Sequence, residues 1–159
     1  MGKEEITIYD DIPLGYEIQF ASLKEALSLI VEPVYKEQEE EFLYEYLIDN
    51  APNEDEKNII KSIRDDERKH KNMIRKFYKF FTDKDIPESE NVNFKKPQSY
   101  IDGVKIAALK KHKSIEQHIK LYKLIIQSLS NQNFINMAFE ILQEEQKHAI
   151  EYNFILSMH

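Results

Sequence analysis

From Ile60 to Phe81 an apolar residue falls every three or four positions: Ile60, Ile63, Ile74, Phe77 and Phe81 form one helical stripe. Two mid-stripe positions are not apolar; they are Glu67 and His70. A second run, Phe134, Ala138, Ile141, Tyr152 and Ile155, keeps the same register through Glu145 and His148. This pattern predicts two helices that each turn a carboxylate and an imidazole toward a core. Burying a charge without a partner is costly, so both pairs require one. Residues three apart share a helix face, so each Glu-x-x-His can grip one metal ion.

The remaining pattern is also helical. Leu23, Leu27, Ile30, Val34, Glu37, Glu41, Tyr44 and Ile48 predict a helix over 22–49, and Ser22 to Glu25 has capping-box spacing at its start. Pro33 lacks an N–H and predicts a kink or a fresh start inside that run. Asn50 to Asn53 reads as a turn, and Asn53 with Glu56 opens the helix over 53–82. Residues 83–98, with Pro87 and Pro97, have no period and read as a connection. A third helix over 99–130 carries a stripe of Ala108, His112, Ile115, Ile119, Tyr122, Ile126 and Leu129, and the last spans 133–157. Residues 1–21, with Pro13 and Gly15, read as an N-terminal arm. The expectation is an all-α single domain over 1–159. It is an antiparallel four-helix bundle of ferritin-like topology, two helical hairpins joined by a long crossover.

Composition narrows the function. A net charge of −7 disfavours nucleic acid. The absence of cysteine excludes disulfides, thiolate zinc sites and iron–sulfur or rubredoxin centres. No apolar run is long enough for a membrane span, and Met1 to Asp11 shows no secretory pattern, so a cytoplasmic location is expected.

Sliding the first half forward by 78 positions, without a gap, superposes Glu67 on Glu145, His70 on His148 and Lys69 on Lys147. It also brings Tyr44 onto Tyr122, Ile63 onto Ile141 and Asp66 onto Glu144. Such a match is the signature of a duplicated helical hairpin. A metal centre would draw further ligands from the first and third helices. On the first, Glu37 shares a seam with Val34 and Tyr44, with Glu40 and Glu41 as its neighbours in an otherwise solvated acidic run. On the third, the matching position is Ile115, which cannot bind metal. His118 and His112 lie three residues to either side of it, and Glu116 points farther round the helix.

These residues resemble a rubrerythrin-type member of the ferritin-like superfamily, over about residues 23–157. The likeness rests on Glu37 and Tyr44 followed by Glu67-x-x-His70, then Tyr122 followed by Glu145-x-x-His148. It implies a non-haem di-iron centre with Glu67 and Glu145 bridging or chelating, His70 and His148 capping one metal each, and Glu37 as a terminal carboxylate. It also favours His118 over His112, because rubrerythrins carry an extra ligand one turn past the usual third-helix position. The implied activity is an oxidoreductase acting on hydrogen peroxide or oxygen, with iron or manganese as the metal and a separate electron-donor protein, in a possible homodimer. Ile115 leaves a second expectation beside it: a single-metal or purely structural bundle without catalysis.

Overall fold

The computed structural model describes residues 6–8, 18–87 and 92–159. Among these residues five helices follow one another: α1 (Phe20–Tyr35), α2 (Glu37–Asn50), α3 (Glu54–Thr82), α4 (Tyr100–Ser128) and α5 (Gln132–Ser157). No strand occurs among the described residues beyond an isolated bridge between Ile18 and Leu129. Among the described residues, no helix is long and apolar enough to cross a membrane. Pro13 and Gly15 lie outside the described residues.

Two expectations about the first helix are corrected. The element predicted over 22–49 is two helices, broken at Lys36, whose φ and ψ of −90° and 7° end α1 and begin α2. Pro33, three residues earlier, supplies no N–H to the turn before it, which weakens the ladder there. The capping box at Ser22 is also unused, because α1 already begins at Phe20. Its start is fixed from outside: the Gln19 N–H donates to the Ser128 carbonyl at 3.0 Å. The other starts follow the local code. The side chains of Asn53, Ser99 and Asn131 each accept from backbone N–H groups of their own first turn. Asp83 ends α3 in the left-handed region (φ 53°), which an Asp tolerates better than most side chains.

The core is divided. One apolar cluster joins Leu23, Leu27 and Ile30 of α1 to Ile74, Phe77 and Phe81 of α3, Ile125 of α4 and Ile141 of α5. The other joins Leu43, Tyr44 and Leu47 of α2 to Ile60 and Ile63 of α3, Val104 and Ala108 of α4, and Tyr152 and Ile155 of α5. Between them lies a layer of buried polar side chains: Glu67, His70, Lys71, Lys111, Glu145 and His148. The predicted stripes of α3 and α5 are buried, apart from a half-buried Phe134. The stripe of α4 is not the predicted one. Ala108 and Leu129 are buried as expected, but His112 and Ile126 are exposed, and the buried positions of α4 are Gly103, Val104, Ala107, Ala108, Lys111, Leu121, Leu124, Ile125 and Ser128.

Glu56 ties the start of α3 to the end of the chain. It is 1% exposed, accepts from Asn53 Nδ2 at 2.9 Å, and takes His159 Nε2 at 3.1 Å on both oxygens. The Tyr100 hydroxyl is buried beside this carboxylate but outside hydrogen-bonding geometry. Burial alone would raise the Glu56 carboxyl; its polar neighbours outweigh that and hold it below the ordinary value. A depressed carboxyl stabilises the fold above its unfolded pKa of about 4.3, and the contribution fades as pH falls through the folded value. Glu56→Gln should therefore cost about 1 kcal/mol at neutral pH. It should also flatten the acid limb of the stability curve, read from thermal melts over a descending pH series. An acid limb identical to the wild type would remove Glu56 from this role.

Candidate metal centre

Two one-turn pairs face each other across the α3–α5 contact. Glu67 and His70 come from α3, Glu145 and His148 from α5, and all four are no more than 5% exposed. The imidazoles lie 5.9 Å apart, centroid to centroid. Their outer nitrogens are held reciprocally. His70 Nε2 lies 2.5 Å from Glu144 Oε2, and His148 Nε2 lies 3.1 Å from Asp66 Oδ2. Each acid directly precedes the Glu of the opposite pair, so each motif orients the histidine of the other. Lys69 and Lys147 repeat the exchange outside it, Lys69 bonding Glu144 at 2.9 Å and Lys147 approaching Asp66 at 3.7 Å.

The inner side is asymmetric. His148 Nδ1 is 3.1 Å from Glu67 Oε1. His70 Nδ1 makes no hydrogen bond, although it is buried 3.5 Å from Glu145 Oε1 and 3.7 Å from Glu67 Oε1. Between the carboxylates sits the ammonium of Lys111, from α4. It donates to Glu67 Oε1 and, at 3.2 Å, contacts both oxygens of Glu145. Burial works to depress the Lys111 ammonium, but Glu67 and Glu145 outweigh it and hold its pKa well above the ordinary lysine value. Burial would likewise raise the Glu67 carboxyl; Lys111, His148 and His70 pull it well below the usual range. His70 is pushed up to about 9: burial opposes its charge, but Glu145, Glu67 and Glu144 surround it.

Of the six side chains expected to bind metal, Glu67, His70, Glu145 and His148 come together. Glu37 does not join them. The break at Lys36 separates it from the stripe of α1, and its carboxylate pairs with Arg75, beyond His70 on α3. The α2 acid nearer the layer is Glu40, 3.4 Å from the buried Lys71. His118 is half-buried and stands outside the converging group, with its pKa lowered to about 4, first by burial and further by Lys71 and Lys111 against Glu145 and Glu67. Sequence reading missed Lys111. A Lys at the i+3 and i+4 positions of Ala108 and Ala107 was the available signal.

The group fits a metal on one side. Ligand atoms of Glu67, His70 and Glu145 all lie within 4.8 Å of one another. Glu144 takes the Nε2 side of His70, which leaves Nδ1 facing the two carboxylates, the carboxylate–histidine arrangement that metal sites use. No protein-family model, curated protein or solved structure matches the chain.

Lys111 is the partner that lets two carboxylates share this interior. Removing one member of a buried ion pair costs about 3–5 kcal/mol. Lys111→Met should lose stability of that order in metal-free protein, measured by urea unfolding. A divalent metal should recover more stability in this variant than in the wild type, because a cation then replaces the missing one. Equal metal-induced shifts in both proteins would show that the ammonium and the metal do not compete.

Proposed function

We propose that the protein is a ferritin-like, rubrerythrin-type bundle that binds one divalent first-row metal through Glu67, His70 and Glu145. Lys111 already supplies one cation to the same two carboxylates. The observation that carries this reading is the buried, unbonded Nδ1 of His70 beside two carboxylates. The bundle assignment is supported by the core: the first half of α3 shares a cluster with the second half of α5, as antiparallel packing requires.

Charge supports one metal rather than two. Glu67 and Glu145 supply two negative charges, and Lys111 already offsets one. A single divalent ion changes the sign of that small net charge without enlarging it, whereas two beside the ammonium would bury a large uncompensated positive charge. One imidazole and two carboxylates suit iron or manganese. Bound iron would supply one-electron chemistry toward hydrogen peroxide or oxygen, with electrons from a separate donor protein. The chain's own residues hold the site: Glu144 orients His70, Asp66 orients His148, and Lys111 keeps Glu67 and Glu145 ionised and together.

Lys111 also favours a second reading, a metal-free structural layer, since its ammonium satisfies both carboxylates unaided. An anaerobic titration of the full chain with Co(II), read by visible absorption, separates the readings. The expected result is a break at about one equivalent that His70→Ala abolishes. Two equivalents would favour a two-metal centre instead, and no binding would leave the structural layer.

A further inference from the structure

A cavity of about 220 Å³ opens beside the polar layer, between α2 and α4, and reaches Glu67 and Lys111. Its lining is unlike the rest of the molecule. Five lysines stand there against four glutamates, in a chain whose net charge is −7. Two of the lysines, Lys71 and Lys111, are each 6% exposed. Lys71 has three donors to place and a single ion-pair partner among the described residues, Glu40 at 3.4 Å. Tyr152 also lines the cavity; it is 0% exposed, and its hydroxyl has no hydrogen-bond partner among the described residues. Buried donors left without acceptors are uncommon, so this hydroxyl needs a partner from outside the described residues. Leu43 and Ala107 add an apolar wall.

The duplication sharpens this. Residues repeated at the 78-position shift build the reciprocal frame of the two histidines. Lys71, Lys111 and Tyr152 are not repeated; their counterparts are Ala149, Pro33 and Ile74. The three polar groups that break the symmetry all line the one cavity.

We propose that this cavity binds a short-chain monocarboxylate, its carboxylate held by Lys71 and the Tyr152 hydroxyl beside Lys111, and its hydrocarbon end against Leu43 and Ala107. The volume holds about seven waters, enough for an acid of a few carbons. The excess of lysine over glutamate in the lining favours an acid over an amine, and the apolar wall favours an organic acid over an inorganic oxyanion. The site needs no metal, so its test is independent of metal binding.

The experiment titrates sodium butyrate into the metal-free full chain at constant ionic strength, followed by amide chemical shifts, with butylamine and sulfate as comparisons. Butyrate should saturate, with the shifts gathered around Lys71, Ser114 and Tyr152. Lys71→Met should weaken it about tenfold or more, the loss of a charge-assisted bond. Tyr152→Phe, which keeps the ring and the packing, should weaken it several-fold while leaving the remaining spectrum in place. Non-saturating butyrate, or butyrate affinity untouched by both variants, would overturn the proposal. Tighter binding of sulfate or butylamine would overturn the assignment to a carboxylate.

Discussion

The contact between the Lys111 ammonium and the carboxylates of Glu67 and Glu145 is the condition for the rest of this interior. Two ionised carboxylates at 5% and 1% exposure repel in a medium that screens them poorly. One ammonium between them turns repulsion into a three-member ion cluster and draws three helices, α3, α4 and α5, to one point. Such clusters add little net stability relative to apolar packing, because each ion gives up its hydration. Their effect is on register. Any slip of α4 against α3 and α5 would leave a buried charge without its partner, whereas the two apolar clusters on either side would tolerate small shifts.

The halves of the structure differ in how far the sequence reveals them. The stripes of α3 and α5 were legible because apolar residues bracket the Glu-x-x-His pairs on both sides, so register is fixed by Ile63 and Ile74 in one and by Ile141 and Tyr152 in the other. In α4 the buried face passes through small residues and a lysine, Ala107, Ala108 and Lys111, while Ile106, Leu109 and Ile126 are exposed. A reading that follows the largest side chains drifts off that face and takes His112 in place of Lys111. Glu37 was misplaced for a different reason. Its seam was drawn straight through Pro33, and the break at Lys36 interrupts the register that made Glu37 a neighbour of Val34.

The repeat was visible in the sequence, but its physical meaning was not. Asp66 and Glu144 superpose as a conservative pair, which by itself says only that an acid precedes each Glu. The fold shows why an acid belongs there. With α3 and α5 in contact, Asp66 reaches His148 and Glu144 reaches His70. Neither histidine is oriented by its own motif, so the motif is functional only as a pair, and half of it would leave both a histidine and an acid unsatisfied. This mutual dependence is a long-range property, spanning more than 70 residues, that local spacing cannot express.

A symmetric frame offers the same environment to both of its histidines, yet the two are not equivalent. His148 meets a carboxylate at 3.1 Å on each ring nitrogen, while His70 Nδ1, 3.5 Å from Glu145, makes no hydrogen bond. The difference traces to residues outside the repeat. Lys111 takes Glu67 Oε1 and engages Glu145 from one side, and Lys71 and Tyr152 extend that polar side into the cavity, where the corresponding positions are apolar. The duplicated residues therefore account for how the layer is held, and the unduplicated ones for which nitrogen is free and which side is open. Any difference between the two sides of the layer has to come from the second set, because the first treats both sides alike.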